Sequence, residues 1–167
     1  MPRMVGGRTA GDMPGLDIAE QKSWQNYLNA ALRMYAVLNI EMLEKHQLPL
    51  SDVRLLHVLN NFPDGTARMR ELAEALSAPG SRLTRQTRRL EARGLLRRGA
   101  TPDDRRGVAA TITDEGRTVA EEATVTYAQE VRTNFIGRLS RSQIAAMGNG
   151  CRRITQSLKT PLPLDES

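Results

Sequence analysis

The sequence predicts a mainly helical chain that carries one small β-hairpin, and three observations lead there. Apolar residues recur with helical period over most of the chain, period-two alternation is confined to Val108, Ala110 and Ile112, and Pro/Gly breakers cut the helices at a few defined places. The 167 residues suffice for a compact core, and the 40% apolar and 26% charged fractions are those of a globular chain. One cysteine, Cys151, and two histidines, His46 and His57, exclude zinc-finger and disulfide scaffolds. No apolar run approaches the ~20 residues of a membrane span. Residues 1–15 lack the apolar core of a secretion signal, so a cytoplasmic protein with no membrane partner is expected.

Taken in order, a first helix spans about Leu16 to His46. Trp24, Leu28, Ala31, Tyr35, Leu38 and Met42 form one face, and Tyr27, Ala30, Met34 and Val37 form a second stripe beside it. So wide an apolar sector fits a plain core helix or one that also meets a second subunit. A second helix covers about Ser51 to Asn61, with Val53, Leu56 and Leu59 or Asn60 on one side, and Asn61 to Gly65 is turn chemistry. Thr66 to Met69 is short enough for a small strand, and Arg70 to Leu76 reads as a short helix with Leu72, Ala73 and Leu76 inward.

Ser77 to Gly80 breaks that helix, and Pro79 fits the first turn of the next, which runs to Arg93 and stops at Gly94. Two short helices across a tight break, the second one basic, match a helix-turn-helix. Leu83, Thr87 and Leu90 would pack inward. Ser81, Arg82, Thr84, Arg85 and Arg88 would face outward, and these residue types reach phosphates and base edges. Leu95 to Arg98 and Val108 to Ile112 pair as a hairpin, with Val108, Ala110 and Ile112 inward and Gly99 to Gly107 as a long charged tip. A hairpin placed there is a wing whose tip arginine, Arg105 or Arg106, can enter a minor groove. Asp103 or Asp104 would hold one of these arginines in place, or form an ordinary surface ion pair.

Thr113 is an N-cap candidate for a helix reaching about Leu139, using Ala120, Ala123, Tyr127, Val131 and Phe135. Ser140 to Gln143 is a capping-box pattern opening a last helix. There Ile144, Met147, Cys151, Ile154 and Leu158 form a coiled-coil-like seam, so Cys151 is expected to be buried and inert.

The charge is concentrated. Residues 77–106 hold nine arginines against three acids, a net +6, which leaves −1 for the remainder of a chain whose total is +5. Such a patch attracts phosphate backbones by releasing their counterions.

These segments resemble the MarR family of winged helix-turn-helix regulators over roughly Trp24 to Leu158. Asp103-Asp104-Arg105-Arg106, followed after six residues from Arg105 by Ile112-Thr113-Asp114-Glu115-Gly116, is similar to the family's D-x-R…[L/I]-T-x-x-G signature. Met69 to Leu76, Leu83-Thr84-Arg85 and Arg89 to Leu95 resemble its helix-turn-helix. The resemblance implies a winged helix-turn-helix with a helical dimerisation layer. Residues 47–113 would bind DNA, 16–46 and 114–160 would form the dimerisation region, and 1–15 and 161–167 would be a flexible arm and a tail. It implies a homodimer on a pseudo-palindromic double-stranded DNA operator, a repressor more often than an activator, released by a small aromatic or phenolic anion. By the same analogy Trp24, Tyr35, Leu38, Val53, Arg54 and His57 are the ligand-pocket candidates, although His57 is better read as a satisfied or exposed helix residue than as a ligand contact.

Three departures from the family pattern stand out: Arg70 where a Ser or Thr cap is common, Pro79-Gly80 at the entry of the recognition helix, and Arg88 where an acid is common. There is also no cysteine near the start of the first helix, where some members sense oxidants. No catalytic constellation, phosphate-binding loop or dinucleotide fingerprint is present, so neither enzymatic activity nor a cofactor is expected. The competing reading is a winged-helix dimer used for protein–protein contact or non-specific nucleic-acid packaging.

Overall fold

A computed structural model of the protein describes residues 13–101 and 104–158, with residues 101 and 104–106 described by backbone alone. The elements run α1 (Ile18–His46), α2 (Leu50–Asn60), β1 (Thr66–Arg68), α3 (Met69–Leu76), α4 (Gly80–Ala92), β2 (Leu96–Thr101), β3 (Asp104–Ile112), α5 (Asp114–Asn134) and α6 (Arg141–Ser157). The fold is thus mainly helical with a small antiparallel sheet. No helix among the described residues is long and apolar enough to cross a membrane.

The chain divides into two compact units at the step from Val37 to Leu38, inside α1. In the first unit Asp17 caps α1. Its carboxylate accepts from the Glu20 N–H (2.8 Å), while the Glu20 carboxylate accepts from the Asp17 N–H (2.8 Å). Helix α1 is apolar on its surface here: Trp24, Tyr27, Leu28, Leu32 and Tyr35 are all exposed. The rings of Trp24 and Tyr27 lie 5.9 Å apart, tilted by 36°.

The second unit holds the core, built around α2. Leu50, Val53, Leu55, Leu56 and Leu59 are buried, together with Met42 from α1, Leu72 from α3, Leu83 and Leu90 from α4, Leu96 and Ile112 from the sheet, and Ala120 and Ala123 from α5. Two small residues at that point of α5 let α2 come close, and α2 packs along it. Helix α3 ends at Ser77, which takes the left-handed conformation (φ 50°), and the Ala78 N–H reaches back to the Ala73 carbonyl (3.0 Å). Pro79 lies just before α4 in extended conformation, one residue earlier than expected. Its carbonyl accepts from the Leu83 N–H (3.1 Å), which starts the helix without a side-chain cap.

Thr66–Arg68 form the short strand expected there, and it joins the expected hairpin to make a three-stranded sheet. Its order is β1-β3-β2, with Thr66 opposite Thr111 and Ala67 opposite Ala110. The hairpin is also longer: Gly99 pairs with Ala109 and Ala100 with Val108, with an irregularity at Ala100/Thr101. Gly99, Asp104, Arg105 and Arg106, which read as loop, are strand, because backbone ladder bonds do not need apolar side chains where a hairpin projects past the core. For the same reason Val108, expected inward, is 47% exposed, whereas Ala110 and Ile112 are buried as expected.

Two further expectations are corrected. Helix α5 stops at Asn134, and Ile136–Arg138 form a single 3-10 turn instead of continuing to Leu139. Gly137 makes this turn fit, since a Cβ there would lie 3.0 Å from the Arg132 carbonyl oxygen. Cys151 is only half-buried, and the end of the α6 seam is exposed, Ile154 by 55% and Leu158 by 71%. Ser140 does open α6 with a capping box, its hydroxyl accepting from the Gln143 N–H (3.3 Å).

Candidate nucleic-acid interface

Helix α4 shows one face to the core and one to solvent. Leu83, Gln86, Thr87 and Leu90 are buried, while Ser81, Arg82, Arg85 and Arg88 are exposed. Thr84 is half-buried and its hydroxyl donates to the Gly80 carbonyl (3.0 Å), which leaves its oxygen lone pairs as acceptors on that face. Arg82, Arg85, Arg88 and the exposed Arg97 of β2 make no hydrogen bond or ion pair to a described residue. Four guanidiniums are therefore available to an external anion.

Three more arginines of the basic segment, Arg89, Arg93 and Arg98, have internal partners. Arg89 grips the fully buried Asp52 of α2 with two bonds, Nε to Oδ2 (3.0 Å) and Nη2 to Oδ1 (2.6 Å). That carboxylate raises the Arg89 pKa further above its usual value. Beside it Gln86 donates to the Ser51 carbonyl (2.6 Å), so α4 is fastened to the first turn of α2 at two points. Arg93 donates to the Gln47 carbonyl (2.8 Å). Glu91, in the last turn of α4, accepts from the Arg98 backbone N–H (2.9 Å) and Nε (2.7 Å), and its carboxylate forms an ion pair with Arg98 Nη2 at 2.7 Å. The Arg98 backbone N–H and then its guanidinium hold the Glu91 carboxyl below the usual carboxylate range. This clamp ties the end of the recognition helix to the first strand of the wing.

The junction between wing and α5 explains the sequence pattern found there. Gly94 adopts φ 73°, a conformation that favours glycine, and turns the chain from α4 into β2. Thr113 donates its hydroxyl to the Gly94 carbonyl (2.7 Å) and accepts from the Gly116 N–H (3.0 Å), while its own N–H reaches the Leu95 carbonyl (3.2 Å). A Cβ on Gly116 would collide with the Leu95 carbonyl oxygen and lie 2.9 Å from both the Leu95 carbonyl carbon and Ile112 Cγ1. Threonine and glycine three residues apart are thus what this close crossing demands. At the other end of the lobe, Glu71 accepts from the Arg68 N–H (2.9 Å) and opens α3, one residue ahead of the expected start, so Arg70 is not in the capping position.

Other predicted positions are more dispersed. The backbones of Asp104, Arg105 and Arg106 lie in β3, but their side chains, and all of Asp103, fall outside the described residues. Of the pocket candidates, Trp24 and Tyr35 are exposed on α1 in the first unit. In the second unit Leu38 and Val53 are core side chains, and Arg54 and His57 are exposed. His57 Nδ1 lies 3.2 Å from Thr124 Oγ1, and Nε2 3.3 Å from Asn61 Nδ2. The Asp52–Arg89 and Glu91–Arg98 pairs escaped sequence reasoning. The first joins residues 37 positions apart, and the second crosses the Gly94 turn. A Glu seven residues before an Arg across a glycine stop is the faint signal the second one leaves.

Comparison with known proteins gives a consistent result. A family profile described as MarR family matches residues 46–107. Sco3205 of Streptomyces coelicolor, a MarR family transcriptional regulator solved in complex with DNA, superposes with a TM-score of 0.85 at 30% identity, covering 92% of this chain and 96% of that one. AbsC of the same organism, also a MarR family transcriptional regulator, superposes with a TM-score of 0.82 at 26% identity, covering 88% and 99%. The uncharacterized HTH-type transcriptional regulator YhbI of Bacillus subtilis (strain 168) is 36% identical over 96 residues, 56% of this chain and 62% of that protein.

Proposed function

This chain belongs to the MarR family of transcriptional regulators, and from that premise we propose that it binds a specific double-stranded DNA operator as a cytoplasmic homodimer and represses transcription. The observation that carries the reading is the outer face of α4, where Ser81, Arg82, Arg85 and Arg88 are exposed while Asp52, Gln86 and Glu91 hold the helix from behind and at its end. A helix with unpaired arginines on a fixed axis suits major-groove readout. The DNA complex of Sco3205 supports the same use of the fold. The run of exposed large apolar side chains along α1 supports dimerisation, since a lone chain rarely leaves so many uncovered on one helix, and Ile154 and Leu158 at the end of α6 add to it. A dimer would set two recognition helices about one helical turn apart on a pseudo-palindrome. We extend the reading to ligand response, with a small aromatic or phenolic anion lowering DNA affinity.

The test is a titration against duplexes tiling the region upstream of the gene, with a random duplex as competitor and at two salt concentrations. One tile should hold the protein against competitor, since specific sites win by about 10³–10⁷ over random ones. Arg105→Ala and Arg106→Ala should weaken binding to that tile with the dimer intact. Parent-like affinity in both would remove the wing from the interface. Equal, salt-sensitive binding to every tile would instead mark a packaging protein.

A further inference from the structure

Arg89 is more than a strut for α4. Its guanidinium commits Nε and Nη2 to Asp52, yet the side chain is 50% exposed and Nη1 has no partner among the described residues. On the helix it follows Arg82 and Arg85 at i, i+3 and i+7, so the three lie along one line, Arg85 on its outer-face side and Arg82 and Arg89 on the side of Gln86. Gln86, which bonds the Ser51 carbonyl, lies next to this line, so Arg89 stands on the flank of α4 beside the first turn of α2. Ser81, Arg85 and Arg88 occupy the outer face. A helix about 10–12 Å across fills a major groove about 12 Å wide. Its outer face then meets base edges and its flanks meet the phosphates that line the groove.

We propose that Arg89 is a DNA-backbone contact held ready by Asp52: the buried carboxylate fixes one edge of the guanidinium, and the free Nη1 edge is aimed at a phosphate of the operator. The inference rests on the regulator reading and assigns roles within it, Arg89 touching DNA and Asp52 acting as a positioning residue. A guanidinium suits both tasks at once because its five N–H donors lie in one plane and point to two sides. Holding it in place beforehand removes the side-chain ordering cost from the binding step.

The experiment measures salt-dependent binding of the full chain to its selected operator tile and to a random duplex, for the parent, Arg89→Gln, Asp52→Asn and the double variant. Urea midpoints confirm that each is folded. Arg89→Gln should make the slope of log K against log salt shallower by about 0.9 per protomer, with a loss of about tenfold or more on both duplexes. Asp52→Asn removes a negative charge, so electrostatics alone predicts tighter binding. Positioning predicts weaker operator binding at an unchanged slope. In the Arg89→Gln background Asp52→Asn should add nothing. Should Arg89→Gln not fold, Arg89→Lys replaces it, keeping the parent slope while losing operator affinity as Asp52→Asn does. A parent slope in Arg89→Gln, tighter operator binding by Asp52→Asn, or additive losses in the double variant would each overturn the inference while the parent still selects one tile. A parent that selects no tile would overturn the regulator reading as well.

Discussion

Replacing Gly116 by Ala tests the packing logic of this lobe most sharply, because helix propensity and tertiary structure predict opposite signs. In a helix, alanine in place of glycine is worth about 0.5–1 kcal/mol in favour of folding. At Gly116 the new methyl would occupy the space of the Leu95 carbonyl and press on Ile112 Cγ1 at 2.9 Å. The obstacle is backbone, so relief requires moving the start of α5 away from the α4–β2 turn. Such overpacking costs about 1–3 kcal/mol. The movement also stretches the three bonds around Thr113, at 2.7, 3.0 and 3.2 Å. Losing one or two of them adds about 1 kcal/mol each. After subtracting the propensity gain, Gly116→Ala should destabilise by about 1–4 kcal/mol. Urea unfolding at one fixed protein concentration reads this as a lower midpoint at constant slope. Gly80→Ala is the internal control: nothing lies within 4 Å of the added methyl, and its backbone is ordinary, so it should gain about 0.4–1 kcal/mol. A Gly116→Ala protein as stable as its parent would refute the close crossing.

Thr113→Ala removes the cap of α5 and the donor to the Gly94 carbonyl, and should lower stability by about 1–2 kcal/mol in the same assay. Glu91→Gln tests a pH dependence. The folded Glu91 carboxyl sits below its ordinary value of 4.5 because of Arg98, so its contribution is present above that value and is lost as pH falls through the depressed one. The parent should therefore lose stability on acidification with a steeper limb than Glu91→Gln, and the gap between them should be constant from pH 6 to 8. Superimposable acid limbs would mean the clamp does not hold in solution. Arg85→Ala, on the outer face of α4, should cost about 1–3 kcal/mol of discrimination at one base pair of the operator. An equal loss on every duplex would make Arg85 a phosphate contact.

Much of this protein is legible in its sequence for a local reason. Helix periodicity, the Thr113 cap, the Ser140 capping box and the Gly94 stop each depend on residues within a few positions of one another, and the structure places them where the pattern predicts. The inward set Leu83, Thr87 and Leu90 follows from 3.6-residue periodicity in the same way. The sequence by itself also located the positive charge, because nine arginines in thirty residues need no fold to be counted.

Only the tertiary structure decided which of those arginines have partners within the fold. Arg89, Arg93 and Arg98 have internal partners, and Arg82, Arg85, Arg88 and Arg97 have none among the described residues. The distinction turns on Asp52, 37 residues upstream of Arg89, and on a backbone carbonyl of Gln47, 46 residues from Arg93. Pairing over such distances leaves no periodic trace, since it depends on which helix faces meet and not on the chemistry of either segment. The pairing of β1 with β3, the extended hairpin with Val108 outside, and the crowding at Gly116 have the same origin. Local chemistry is written in neighbouring residues, whereas the identity of a side chain's partner is set by packing that brings distant segments within a few ångströms.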